Sequence, residues 1–281
     1  MGLLFLFASP AYAQQPSSAP CCLGALKIAA QPTVELLVTS PVGLQTGFDP
    51  LTGQHLDQIP SSNYLVTPLA NVSETDGTAP EAREVDISLP AAGRYTVQAI
   101  GEGPGPFTIA FTGVDSKGMA TVRRFSGTAS PGATFVYYVR YSSTPGSKIA
   151  VTPLVPLQNF SSTVNVAAGP PPSFEVRADV TLGSASAGFD PLTQPLSIHL
   201  AGISATVPPG SFHQDKQGIY RFAGAIEGIS LRVSIVPQVN HSFGFRIDGQ
   251  NIDLTAAINP LRLLLILGSN AGAVLVNAVT K

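Results

Sequence analysis

The chain has 281 residues, room for about two domains of ordinary size. Hydrophobic residues make up 44% and charged residues only 11%, against roughly a quarter charged in an average soluble domain, so wholesale disorder is excluded. The formal net charge is −2 and there is no basic run, which leaves little to attract a nucleic-acid backbone or an anionic lipid surface. With 27 glycines and 25 prolines, the composition excludes a helical bundle and points to many short strands with tight turns.

Residues 1–13, MGLLFLFASPAYA, read as a secretory signal peptide: Leu3 to Ala8 form a short apolar core, and Ala11-Tyr12-Ala13 fits the small-x-small cleavage rule, although no Lys or Arg precedes the apolar run. This predicts a secreted, periplasmic or cell-surface protein. Residues 14–31, QQPSSAPCCLGALKIAAQ, read as a flexible leader. It carries the only two cysteines, Cys21 and Cys22, which are adjacent and so close almost no loop. A strained vicinal disulfide, an intermolecular bridge and two cysteines in a disordered leader all remain open; the last is preferred.

From Val34 onward the pattern is short strands, assigned to a first domain over 32–155. GRYTVQAIGEG (93–103) alternates, with Tyr95, Val97 and Ala99 on one face. FTIAFTGV (107–114), VRRFSGTA (122–129) and TFVYYVRY (134–141) follow, separated by Asp, Gly and Pro clusters. Residues 156–173 read as a linker, because Pro170-Pro171-Pro172 favours an extended, semi-rigid spacer. The second domain, 174–281, opens with FEVRADVTL (174–182), whose clean period of two predicts a strand with one wet face. LSIHL (196–200), ATV (205–207), YRFAGAI (220–226), LRVSIV (231–236) and FGFRI (243–247) continue, with HQDKQG (213–218) as a polar hairpin tip. The apolar stretch 261–279 is long enough for a membrane span, but Gly268 to Gly272 at its centre predict a hairpin of two buried strands. The expected fold is therefore all-β: two tandem antiparallel β-sandwich domains, jelly-roll or Ig-like, joined by a Pro-rich linker. The fragment 174–281 is expected to fold alone.

Catalytic signatures are absent: there is no Gly-x-Ser-x-Gly, no HExxH and no thiol placed for attack. His55, His199, His213 and His241 are scattered without metal spacing and read as surface histidines, His199 on the wet face of its strand. There is no Trp to stack on sugars; Tyr64, Tyr95, Tyr137, Tyr138, Tyr141 and Tyr220 are lesser candidates. Asn71, Asn159 and Asn240 stand in Asn-x-Ser sequons, which matter only on a eukaryotic secretory route. The sequence assigns no catalytic, cofactor-binding or metal-ligating residue and implies no cofactor.

GFDPLT occurs twice, at 47–52 and 188–193. One reading is a calcium site built on Asp49 with Asp57 or Asp76, and on Asp190 in the second copy. Calcium needs six or more converging oxygens, and the surroundings offer too few. The preferred reading is an Asp-Pro turn. The Asp side chain bonds back to the chain, Pro fixes φ, Gly47 or Gly188 takes a conformation other residues resist, and Phe48 or Phe189 plugs a core edge. On that reading Asp49→Asn and Asp190→Asn each cost under about 1 kcal/mol.

AAGRYTVQAIGEGPGPFTIAF, with the later SPGATFVYYV, resembles the sandwich modules of bacterial secreted proteins and is loosely similar to the pre-peptidase C-terminal domains of secreted proteases. The second half, with GFDPLT, VPPGSF (207–212) and YRFAG, looks like another module of exported proteins. The resemblance implies an accessory, non-catalytic role and brings no functional residues. The leading expectation is a secreted, non-enzymatic protein that binds, adheres or builds at the cell exterior, with an extracellular glycan or protein as ligand. Two alternatives stand beside it. One is a hydrolase with a cross-strand carboxylate pair, Asp49 with Asp57 or Asp248 with Asp253. The other is a structural subunit exchanging strands through its leader.

Overall fold

The computed structural model describes residues 24–50, 52–68, 81–252, 254, 257 and 259–280. Alternating apolar and polar residues, cut by Gly, Pro and Asp, give strands throughout and no helix among the described residues. The first half holds β1 (Ala25–Gln31), β2 (Val34–Thr39), β3 (Gln45–Asp49), β4 (Gln54–Asp57), β5 (Ser62–Pro68), β6 (Glu81–Ser88), β7 (Gly93–Gly101), β8 (Gly105–Val114), β9 (Ala120–Ala129), β10 (Thr134–Tyr141) and β11 (Ala150–Pro153). They form two antiparallel sheets, β5-β6-β1-β8-β9 and β11-β10-β7-β2-β3-β4. Leu26, Ile28, Val85 and Phe111 of the first sheet share one core with Leu36, Val97, Tyr137 and Val139 of the second. Burying that apolar area between two layers is what holds a sandwich together.

The second half holds β12 (Val155–Ala167), β13 (Ser173–Leu182), β14 (Leu196–Leu200), β15 (Ile203–Val207), β16 (His213–Gln214), β17 (Tyr220–Ile226), β18 (Ile229–Pro237), β19 (Ser242–Gln250), β20 (Leu261–Leu267), β21 (Asn270–Val276) and β22 (Val279–Thr280). Their order is β15-β14-β20-β21-β12-β13-β19-β18-β17-β16, with β22 beside β12. β12 connects the two layers. Its first residues run parallel to β21 and the remainder pairs antiparallel with β13, with a register shift between Leu157 and Asn159. Val176, Ile247 and Phe245 of one layer share the core with Leu196, Leu263 and Leu265 of the other. β20 and β21 form the expected C-terminal hairpin around Gly268-Ser269, and no helix among the described residues is long and apolar enough to cross a membrane.

Three sequence expectations need correction. The sequence predicts a leader running to residue 31, but Ala25–Gln31 is a strand lying between β6 and β8, with Leu26, Ile28 and Ala30 wholly buried. LKIAAQ alternates, and its small alanines hid the period of two. The linker over 156–173 is also a strand: β12 supplies Val164 and Val166 to the second core. The three prolines sit at the tip of the β12–β13 hairpin, where a missing N–H costs no ladder bond. The halves instead join at one residue. The Leu154 N–H donates to Val136 O at 2.8 Å, and the next N–H, of Val155, donates to Ser269 O at 2.8 Å. The fragment 174–281 therefore lacks a strand from the middle of its sheet. Residues 1–13, expected to be a signal peptide, and Cys21 and Cys22 lie outside the described residues.

Where the halves meet, a third cluster forms from Val136 and Leu154 of the first half and Leu264, Ile266 and Ala271 of the second. β20 is buried along its whole length: Leu261, Leu263, Leu265 and Leu267 face their own core, and Leu264 and Ile266 face the other half. A strand covered on both faces loses polar alternation, and LRLLLIL has lost it.

Candidate functional site: the cleft between the halves

The single cation of β20 lies on the face that meets the first half. Arg262 is 8% exposed, and its Nη1 donates to Asp49 Oδ1 at 2.9 Å, at the end of β3. Its Nη2 donates to Thr134 Oγ1 at 3.0 Å, at the start of β10. Burial pulls the guanidinium below its ordinary range, and the Asp49 carboxylate opposes that shift. An ion pair shut away from water is strongly destabilised when one partner is removed, because the other is then buried alone.

Asp49 is where the repeated hexapeptide begins to differ between copies. The main-chain turn is common to both: Gly53 N–H donates to Asp49 O at 2.8 Å, and Gln194 N–H donates to Asp190 O at 2.9 Å. The side chains diverge. Asp190 is exposed and closes its own turn, accepting from Leu192 N–H at 3.0 Å and from the Thr193 hydroxyl at 2.8 Å. That is the expected Asp-Pro turn. Asp49 is 3% exposed and reaches across to the other half. Thr52 corresponds to Thr193, and its buried hydroxyl has no partner.

The glycines diverge as well. Gly47 and Gly188 both hold positive φ, 133° and 101°, as expected. A Cβ on Gly47 would lie 2.0 Å from Leu36 O, on the strand paired beside it, whereas one on Gly188 would meet nothing within 4 Å. Phe189 is buried in the second core beside Phe243, with ring centroids 5.7 Å apart, while Phe48 is only half-buried.

Next to the Asp49–Arg262 pair is a cavity of about 230 Å³, lined from both halves by Gln45, Thr52, Gln98, His199 and Arg262, with Leu37 and Leu264 among its apolar walls. His199 departs from expectation. It is 7% exposed, because the outer face of β14 is covered by the first half, and its Nδ1 has no partner. Burial, aided by nearby Arg94, pushes its pKa down to about 4, so the ring is neutral at physiological pH. Gln98 on β7 is 1% exposed and its carbonyl oxygen is likewise unpartnered, as is Arg262 Nε. Thr52, Gln98, His199 and Arg262 all line this cavity, and each holds one buried polar atom that has no hydrogen-bond partner and is enclosed within the wall.

The other candidates separate. His55, His213 and His241 are exposed. Tyr95, Tyr137 and Tyr141 are core side chains; Tyr64, half-buried, donates to Glu35 and has His55 against its ring, Arg94 lies 4.3 Å over the Tyr138 ring, and Tyr220 packs partly against the second core. Asp49 pairs with Gln54 and Thr46 with Asp57, an odd offset that puts the two Asp side chains on opposite faces of the sheet. Asp248 is bound to Arg246 at 3.2 Å on the outer face of β19; Asp253, Asp76 and Asn71 lie outside the described residues. Asn159 and Asn240 are exposed. Among the described residues no group of three or more His, Cys, Asp or Glu is placed to hold a metal ion. A larger depression of about 340 Å³ on the outer face of β13, β18 and β19 is lined by Glu175, Arg232, Arg246 and Asp248. Its polar groups are largely engaged with one another: Arg246 reaches Glu175 at 3.3 Å as well as Asp248.

No family model matches the chain, and no curated protein matches it. Among solved structures, the chain aligns with the crystal structure of Dpr2 Ig1-Ig2 in complex with DIP-Theta Ig1-Ig3, at 9% identity over 91% of this chain and 94% of that one, with a TM-score of 0.23. It also aligns with the I-band fragment I67-I69 from titin, at 11% identity over 92% and 94% of the two chains, with a TM-score of 0.19. Both scores are too low to mean a shared chain path, and the all-β sandwich assignment stands on the sheets and cores themselves.

Proposed function

We propose that this chain is a non-enzymatic binding or structural protein of the cell exterior, in which two β-sandwiches act as one rigid body. The observation that carries this reading is the contact between the halves. It has no spacer, an apolar seam around Leu154, Leu264 and Ile266, and the buried Asp49–Arg262 pair. Such a seam fixes the angle between two sandwiches, which suits a protein that presents surfaces or a cleft at set positions. The hydrolase reading is weakened because Asp49 is committed to Arg262 and faces away from Asp57. Strand exchange is weakened because residues 25–31 already sit between two strands of their own sheet.

Incubating the full secreted chain with a glycan and matrix-protein array, alongside a panel of chromogenic glycoside and ester substrates, tests the proposal. Retention on the array without product release is the expected result. Turnover of any substrate, abolished by a single substitution in the cleft, would overturn it.

A further inference from the structure

We infer that copies of this chain join head to tail, the β9 edge of one first sandwich adding to the β5 edge of the next. The inference deepens the structural side of the proposed function by naming a partner, a second copy of the chain. In the sheet β5-β6-β1-β8-β9 the two outermost strands have a neighbour on one side only, among the described residues. The seam with the second half lies elsewhere, against Val136 on β10 of the other sheet. Each free edge also shows large apolar side chains to water: Val122 on β9, Leu65 and Val66 on β5. An unpaired edge of this kind is a template for pairing with another chain.

Charge decides which edge meets which. Beside β5, five carboxylates share two cations: Arg83 binds Glu35, Glu81 and Glu102, and Lys27 lies against Glu84 and Asp86. At the opposite edge β9 carries Arg123 and Arg124, both exposed, and neither forms an ion pair among the described residues. Arginines on an edge deter pairing with a like edge, because cations then stand opposite cations. Two β9 edges are kept apart in this way, and the excess carboxylates do the same for two β5 edges. The deterrent is directional, since it leaves the β9–β5 contact favoured.

The register fits the charges. Arg124, Ala110, Ala29, Glu84 and Leu65 form one row across the sheet. With the rows of two copies in line, Arg124 stands beside Leu65 of the next copy and two strand spacings, about 10 Å, from its Glu84. The arginine stem can lie along the leucine while its charge meets the carboxylate. Four antiparallel pairings separate β5 from β9, so the two run in the same direction and the joint between copies is parallel. Joining two different edges does not close on itself, so the assembly is an open chain. Each copy keeps all of its own strands, unlike an exchange through the leader.

The test is sedimentation velocity of the full chain over a concentration series, at low salt and at about 0.5 M, where exposed charges are screened. A reversible series of dimers, trimers and longer chains should appear at low salt and shrink at high salt. One double variant, Arg123→Ser with Arg124→Ser, removes the basic edge; another, Leu65→Lys with Val66→Lys, blocks the acidic one. All four side chains are exposed, so both variants should melt like the wild type. If the lysine pair melts early, Leu65→Lys alone takes its place. Each variant by itself should associate about tenfold more weakly than the wild type. Mixed in equal amounts, they should form a heterodimer that grows no further, because one intact β9 edge meets one intact β5 edge. A monomer at every concentration, growth that stops at a homodimer, association unmoved by salt, or either variant associating as the wild type does would overturn the inference. None of these outcomes touches the array and substrate panel, where turnover would overturn the non-enzymatic reading and leave the edge contact in place.

Discussion

The two copies of GFDPLT make the same main-chain turn and put it to different use. At 188–193 the motif is self-contained: Asp190 accepts from its own loop and stays in water. At 47–52 the turn ends β3, its carboxylate crosses to Arg262 of the other half, and its threonine hydroxyl is buried without a partner. Local chemistry dictates the turn, because Asp and Pro set it up wherever they occur. What the carboxylate does next is dictated by which surface happens to cover it. A repeated motif is therefore evidence of a repeated backbone shape, not of a repeated site.

Cutting the chain tests how far each copy depends on its neighbours, and has the largest expected effect. A fragment of residues 174–281 keeps the self-contained copy but loses β12, and with it Val164 and Val166 from the core. It should show no cooperative melt and should bind a hydrophobic dye, whereas restoring residues 155–173 should restore a transition. A sharp melt for 174–281 would show β12 to be dispensable.

The glycines come next. Gly47→Val drives a Cβ into Leu36 O across a paired strand and should cost about 4 kcal/mol or more, or prevent folding. Gly188→Val meets open space and suffers only backbone strain, about 1–2 kcal/mol. Urea melts of the two variants that coincide would erase the distinction between the copies.

The pH dependence of the cleft is a smaller effect. The His199 pKa is about 4 in the folded chain, against an ordinary 6.5, so the unfolded chain takes up its proton first as pH falls. Stability from this group is complete above about pH 6.5 and declines towards pH 4, by about 3 kcal/mol in all. Glu35 and Asp86 work in the opposite direction. Burial raises both to about 6, so the folded chain binds their protons first and gains stability as pH falls through 6. The difference between wild type and His199→Leu isolates the histidine. That difference should change between pH 7 and 4; a constant difference would mean the ring reaches water. Smallest of all, Asp190→Asn should lose under about 1 kcal/mol, since the amide oxygen still accepts from the turn.

Much of the fold was legible because each strand needed only its own alternation and a bounding turn. TFVYYVRY, LSIHL and YRFAGAI match β10, β14 and β17 to the residue. The contact between the halves was not legible in the same way. Alternation put His199 on a wet face, which is correct for an isolated sandwich and wrong once the first half covers β14. One signal was present. LRLLLIL has no polar alternation, so both its faces are covered, and an arginine inside it must find a buried carboxylate. Read that way, Arg262 marks the interface, although nothing in the sequence says that Asp49 is its partner. The prolines misled because a spacer and a hairpin tip have the same composition, and only the alternation of Val164 and Val166 just before them distinguishes the two.

The central claim is that the halves meet across a buried contact in which Asp49, of the first GFDPLT copy, and Arg262 act as one pair. A double-mutant cycle on Asp49 and Arg262, read by chemical denaturation of the full chain, tests it most directly. Asp49→Leu and Arg262→Met should each cost about 3–5 kcal/mol, because each strands a buried charge, while the double variant should recover most of that loss. Single losses that add to within about 0.5 kcal/mol in the double variant would contradict the account, since the two side chains would then act independently.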